Sequence, residues 1–186
     1  MATYFVMSCE GVNPATTIGD SPHLPGGPWM TGRPLQIEVP QPLIFTLNPL
    51  YPGKLKAMYK YRYPVVRDDL VQALTAAGVD NIQYFQAVLR DTVANVDHTH
   101  YKAFNIVGVV ACADMEQSEL MGTSDSAMVD VDFRALVIDE KKTGGMLLFR
   151  LAESVNAIVV HEKVKKQVEA SGIENMVFFG PGEWTG

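Results

Sequence analysis

The sequence predicts an α+β protein with mixed sheets, and three observations lead to this class. A stretch beginning at Val65, VVRDDLVQALTAAGVDNIQYF, returns at Val159 as VVHEKVKKQVEASGIENMVFF. Ten of the eleven prolines lie between Pro14 and Pro64. Two long strand patterns separate the copies of the repeated stretch. We therefore expect two pseudo-equivalent strand–helix–strand units and a proline-rich, strand-and-loop N-terminal third.

The N-terminal third is predicted to hold short strands and loops, because proline removes a backbone donor and restricts the preceding residue. Strands are expected at TYFVMSC, LQIEV and LIFTL. Between the first two lies NPATTIGDSPHLPGGPWMTGRP, an irregular segment that holds Trp29 as either a packed loop or a mobile flap. The change in composition predicts a strand-and-loop region at 1–60, packed on residues 61–186 within one compact unit.

Each copy of the repeated stretch predicts one helix between two strands. Asp68 and Glu162 stand in the first turns, where the helix dipole favours negative charge, and Gly78 and Gly172 supply left-handed ends. The copies share helix boundaries, apolar stripe and exit strand, so the repeat is interpreted as scaffold and not as a site. The stripe residues, expected to be buried, are Leu70, Ala73, Leu74 and Ala77 in the first copy and Val164 and Val168 in the second.

Two strand patterns lie between the copies. The first, YKAFNIVGVVACADM, is almost continuously apolar, which is typical of a strand covered on both faces. The second, SAMVDVDFRALVID, alternates and predicts a half-buried strand with Asp130, Asp132 and Arg134 facing outward. MEQSELM predicts a short helical turn between them, and LLFRLAES predicts a strand or short helix leading into the second copy.

The composition limits the function classes. Hydrophobic residues make up 47% of the chain and charged residues 19%, as in ordinary globular proteins. The net charge of −6 argues against nucleic-acid binding, which needs clustered Lys and Arg. Cys9 and Cys112 have no metal-binding spacing and are expected to be buried free thiols. Without a basic leader or an apolar run of roughly 20 residues, a cytoplasmic protein with no membrane partner is expected.

Two motifs suggest a serine hydrolase of the SGNH type. Ser21 in GDS would be the nucleophile, and DHTH supplies His100 as the base with Asp97 to orient it. However, GDS lies in a proline-flanked loop and DHTH lies in the middle of the chain, whereas the enzymes have a core strand before the serine. Gly-Asp-Ser-Pro is also ordinary turn chemistry. The hydrolase therefore remains an alternative.

Metal and cofactor sites are not predicted. His98 and His100 would share one face of a strand, but no third ligand has a recognisable spacing to them. The carboxylates of GTSDSAMVDVD lack the spacing of a calcium loop. The glycines of PGGPW and KTGGM lack the lysine and helix of a phosphate loop, so we expect turns and no cofactor.

The order of these elements carries a resemblance. The chain presents VVRDDLVQALTAAGVDNIQYFQAVLRD, YKAFNIVGVVACADMEQSE with Asn105, Asp114 and Ser118, FRALVIDE, and then LLFRLAESVNAIVVHEKVKKQVEASGIENMVFF with Phe149 and Arg150. This order resembles immunity-protein family eleven of bacterial polymorphic toxin systems, over residues 60–180. The resemblance implies an α+β protein of the bacterial cytoplasm that binds a toxin and has no catalytic residues. It leaves the N-terminal third without a counterpart.

An acid cluster is the predicted partner-binding site. Toxins of these systems commonly attack nucleic acids, and a nuclease cleft is basic because it holds phosphates. An acidic inhibitor surface gains association rate and specificity against such a cleft. For the acid cluster, the competing interpretation is a solvated strand face. For the whole protein, it is a small-ligand binder or a homo-oligomeric structural protein. The predicted partner-binding residues are Asp114, Glu116, Glu119, Asp125, Asp130 and Asp132.

Overall fold

The structure is a computed structural model that describes residues 3–26, 29–121 and 131–186. This part of the chain forms thirteen strands, two α-helices and one short 3-10 helix, Glu140–Lys142, which confirms the α+β class. The helices are α1 (Asp68–Ala76) and α2 (Glu162–Ala170). The strands are β1 (Tyr4–Cys9), β2 (Ile18–Asp20), β3 (Leu43–Leu47), β4 (Met58–Tyr59), β5 (Val65–Arg67), β6 (Ile82–Asp91), β7 (Val96–Ile106), β8 (Val109–Val110), β9 (Glu119–Leu120), β10 (Phe133–Ala135), β11 (Leu148–Leu151), β12 (Ile158–His161) and β13 (Met176–Phe179).

The strands form two larger sheets and one small one. The first sheet has the order β13-β1-β12-β11-β8, and the second has the order β2-β3-β6-β7-β5-β4. The strands β9 and β10 form a separate antiparallel pair. Strands from the N-terminal third therefore take part in both larger sheets, with β1 between β12 and β13. The division of the chain at residue 60 stays a prediction.

The two copies of the repeated stretch have the same topology. In the first unit β5 and β6 flank β7, in the second β12 and β13 flank β1, and all four pairings are antiparallel. In each unit one residue of the middle strand pairs with two residues of the repeat. Each of these two residues in the first copy corresponds to the residue 94 positions later in the second copy. The paired sets are Val65, Ala103 and Phe85 in the first unit and Val159, Val6 and Phe179 in the second.

The helices contact each other and contribute to one core cluster shared by both larger sheets. Both helices end before a glycine with positive φ, +92° at Gly78 and +65° at Gly172. This backbone conformation favours glycine because it has no Cβ. The sequence predicted the buried side of each helix correctly. The buried stripe residues are Leu70, Ala73, Leu74, Ala77, Val164 and Val168.

The N-terminal third departs from the prediction in one place. Residues 35–39 (LQIEV) form no strand, because Pro34 and Pro40 flank them and the Leu35 N–H donates to the Gln83 side chain at 2.8 Å. Trp29 lies in a packed loop, as one of the two alternatives proposed. Its indole is 2% exposed and lies 5.0 Å from the ring of Phe85 between ring centroids.

Other expectations hold over shorter stretches. The predicted alternation appears at 131–135, with Val131 and Phe133 buried and Asp132 exposed, although β10 itself spans only three residues. MEQSELM forms a turn, as predicted, but its end pairs as β9. LLFRLAES forms the strand β11, and Cys9 and Cys112 are buried and unpaired. Within the described residues, no helix has the length and apolarity needed to cross a membrane.

Candidate partner-binding surface

Four of the six predicted acids lie on a β-hairpin built from residues 114–121 and 131–135, here named the acidic hairpin. Leu120 of β9 pairs with Phe133 of β10, and the Met121 N–H donates to the Asp132 carbonyl at 2.8 Å. The segment at 122–130, which joins the two arms, lies outside the described residues. Two of the predicted residues, Asp125 and Asp130, belong to that segment.

The inner face of the acidic hairpin is fixed to the body of the protein. Phe133 is fully buried, with its ring centroid 6.4 Å from that of Trp184. Its backbone also exchanges two hydrogen bonds with Gly186, at 2.7 and 3.0 Å. Two residues before Phe133, the Val131 N–H donates to the Glu153 carbonyl at 2.7 Å. These contacts hold the backbone of the acidic hairpin in a defined position, so its outer face is held in place as well.

Three of the predicted acids are exposed on the acidic hairpin. Glu116, Glu119 and Asp132 are exposed, as an interface residue in the unbound protein has to be. Arg134 is exposed on the same side of its strand as Asp132, because both residues alternate with buried neighbours. The exposed surface is therefore mainly acidic, and Arg134 places a positive charge among its carboxylates.

Asp114 has a structural role that the sequence interpretation missed. Its carboxylate accepts hydrogen bonds from the backbone N–H groups of Glu116 and Gln117, both at 3.1 Å, and from the Gln117 side-chain amide at 2.6 Å. The Gln117 backbone N–H is the largest influence that lowers the pKa of Asp114, with Lys142 adding a smaller attraction. Hydrogen bonds to a carboxylate favour its charged form. Asp114 therefore shapes the turn from which the neighbouring acids project.

A pH titration will test this role of Asp114. We expect its pKa to lie below the ordinary value of 3.8. Because the folded-state pKa is lowered, the carboxylate stabilises the turn above its unfolded-state pKa, and this contribution disappears as the pH falls through the folded-state pKa. Gln117→Ala removes the side-chain bond and should shift the pKa part of the way back. Carboxyl carbon NMR shifts measure both values, and a wild-type pKa of 3.8 or more would contradict the assignment.

Two exposed methionines extend the surface beyond its acids. Met115 is 47% exposed and Met121 is 44% exposed, and both lie in the first arm of the acidic hairpin. Methionine is enriched in protein interfaces, because its flexible, polarizable side chain adapts to a partner. The sequence interpretation did not include them. Their exposure depends on the path of the backbone, which the segment MEQSELM does not determine by itself.

The hydrolase residues have other partners. Asp97 accepts two hydrogen bonds from the Arg90 guanidinium, at 2.9 and 2.8 Å, and the His100 ring lies beside Tyr101 with 4.8 Å between centroids. In the hydrogen bonds of the described residues, no bond joins Ser21, Asp97 and His100 in any pair. A catalytic triad requires the aspartate to orient the imidazole. Ser21, Asp97 and His100 therefore form no hydrogen-bonded triad in the described residues.

The histidine pair has no further metal ligands around it in the described residues. The rings of His98 and His100 lie 6.0 Å apart between centroids. Over residues 3–26, 29–121 and 131–186, no group of three or more His, Cys, Asp and Glu side chains is arranged to hold a metal ion.

Comparison with family models matches residues 13–180 to the immunity protein family (Imm11). The chain belongs to the Imm11 immunity protein family. The match begins well before residue 60, so the Imm11 pattern includes the N-terminal third, which the sequence resemblance had left without a counterpart. This extent agrees with the participation of β2, β3 and β4 in the same sheet as β5, β6 and β7. Membership in Imm11 indicates a role in immunity to a toxin. A comparison with curated proteins gave no match.

Proposed function

We propose that this Imm11 protein neutralises a cognate bacterial toxin by binding it directly and occluding its active site, without catalysis, in the bacterial cytoplasm. The partner is a toxin or effector protein, and neither nucleic acid nor membrane takes part. The observation that carries the proposal is the acidic hairpin, on which Met115 and Met121 are exposed together with Glu116, Glu119 and Asp132. Family membership supports the toxin as the partner class.

The chemistry of the acidic hairpin fits a basic cleft. Carboxylates steer the approach of a positively charged partner and disfavour wrong partners by repulsion. The methionine side chains supply apolar contact area, which drives association once the surfaces meet. The buried anchor at Phe133 limits the ordering cost of binding, because the described part of the hairpin is already held in place. The predicted Asp125 and Asp130 would add two further acids at the connecting segment.

Charge reversal on the acidic hairpin tests the proposal. We expect the double variant Glu119→Lys, Asp132→Lys to lose protection of cells that express the cognate toxin, sought first in the neighbouring gene. Removing rim charges typically slows association, and reversing two of them adds repulsion against a basic cleft. The measurement is survival on co-expression, together with the dissociation constant for the toxin domain. The melting temperature of the variant should equal that of the wild type.

The matched control makes the same charge change elsewhere. Asp80→Lys, Glu174→Lys alters two exposed acids outside the hairpin and should keep full protection. Full protection by the folded hairpin variant would remove this face from the interface and leave its acids as a solvated strand face. Equal loss in both double variants would show an effect of net charge and not of the hairpin.

A further inference from the structure

A basic stretch opposes the overall acidity of the chain. Between positions 39 and 67 the sequence has no Asp or Glu, although the chain has a net charge of −6. Within that stretch, residues 54–62 (KLKAMYKYR) are here named the basic segment. None of its four cations forms a salt bridge with a carboxylate of the described residues. These cations are Lys54, Lys56, Lys60 and Arg62.

The basic segment borders a cavity of about 250 Å³, and the lining of this cavity includes Lys56 and Lys60. Thr16 and Thr17 are also part of the lining, and no Asp or Glu is among the lining residues. The exposed ring of Tyr61 lies at the same cavity. Two lysines in a lining without a carboxylate give this space a positive potential.

Hydrogen bonds hold the cavity walls in place. The Thr16 hydroxyl lies 2.5 Å from the Tyr59 hydroxyl, and the Thr16 N–H donates to the Lys54 carbonyl at 3.0 Å. The backbone of Lys56 is fixed on both sides, because its N–H donates to the Tyr59 hydroxyl at 3.1 Å and its carbonyl accepts from Tyr101 at 2.9 Å. A ligand therefore meets a preorganised site, which reduces the entropy cost of binding.

The electrostatics around Lys60 favour an incoming anion. Although Lys60 is exposed over much of its surface, partial desolvation by neighbouring atoms lowers the pKa of its ammonium group. Glu10 opposes this shift and the buried Arg150 adds to it. An anion placed next to the ammonium group would compensate the lost hydration. Arg150 itself has no carboxylate partner among the described residues and contributes further positive charge.

We propose that this cavity binds a small organic phosphate, with Lys56 and Lys60 holding the phosphate group. A phosphate monoester is largely a dianion at neutral pH, since its second pKa is about 6, so it matches two ammonium charges where one carboxylate would not. The hydroxyl of Thr17 is a further donor in the cavity wall. Ile18 and the face of Tyr61 provide apolar surface for the organic part. The cavity volume of about 250 Å³ suits a small molecule.

Calorimetric titration with phenyl phosphate tests the proposal on the full chain. We expect one molecule to bind per chain, and the double variant Lys56→Met, Lys60→Met to weaken binding by at least about ten-fold, because each charged hydrogen bond is worth roughly a decade in affinity. The control Lys141→Met, Lys163→Met changes two other exposed lysines and should bind as the wild type does. Equal melting temperatures verify folding. Amide shifts of Thr17, Lys56 and Tyr61 should move on titration.

Four results would overturn the phosphate site. They are no binding by the wild type at millimolar phenyl phosphate, equal weakening in both double variants, equal affinity for benzoate, and tighter binding of a single-stranded oligonucleotide through the same lysines. The last would make the basic segment a nucleic-acid surface. The inference stands apart from toxin binding, because the cavity and the acidic hairpin lie on different elements.

Discussion

Leu70→Ala is expected to lower the free energy of unfolding by about 2–5 kcal/mol, the range typical of buried leucines. Leu70 is fully buried on α1, in the cluster that joins both helices and both larger sheets. A void of about 10 Å³ already lies beside Leu70 and Leu74, so truncation of Leu70 would enlarge an existing space. The lost transfer energy and the new cavity therefore both contribute.

Leu50→Ala is the matched control, because Leu50 is 80% exposed and the chemical change is identical. Its effect should stay within about 0.5 kcal/mol, as for most surface substitutions. Urea unfolding followed by circular dichroism measures both values on the full chain. If Leu70→Ala costs no more than Leu50→Ala, the apolar stripe of α1 does not face the core.

Arg150→Met is expected to raise the free energy of unfolding by about 1–3 kcal/mol, since a buried charge without a counter-ion is costly and methionine fills similar space. Arg150 is 2% exposed in β11. One of its nitrogens, Nη1, donates to the Val155 carbonyl at 2.7 Å, while Nε and Nη2 have no partner among the described residues. Loss of the one hydrogen bond offsets part of the gain, by about 1 kcal/mol.

The pH dependence of stability gives Arg150 a second readout. Burial lowers the pKa of its guanidinium group to about 10, so the cation is less favourable in the folded protein than in the unfolded chain. The penalty is fully present below the folded-state pKa and decreases as the pH rises through it. Stability of the wild type should therefore gain relative to Arg150→Met above pH 10. The exposed Arg134→Met is the control, and a destabilised Arg150→Met would show that the guanidinium has a partner that offsets its burial.

The candidate surface was only partly predictable from the sequence. The exposure of Glu116, Glu119 and Asp132 follows from their charge, because unpaired carboxylates stay in water. The role of Asp114 required the turn geometry, since the residue type alone does not distinguish a turn-forming aspartate from a free surface acid. Exposure of Met121 contradicts its hydrophobicity and became visible only when the backbone path was known.

The sequence by itself determined the local elements of the two units. The apolar spacing and the glycines at 78 and 172 defined both helices, because helix boundaries and buried faces depend on residues within one or two turns. In the N-terminal third, the apolar spacing of LQIEV did not determine its structure in this way. Its apolar alternation resembles a strand, but a strand needs a partner, and the flanking prolines and the Gln83 contact left it none.

Only the tertiary structure decided which strand completes each unit. In the first unit the middle strand is β7, which follows β6 directly, whereas in the second it is β1 from the N-terminus. Nothing in the repeated stretch encodes this difference. Strand pairing joins residues that are distant in sequence, so the choice of partner depends on which apolar faces meet in the shared core and not on one strand's pattern alone.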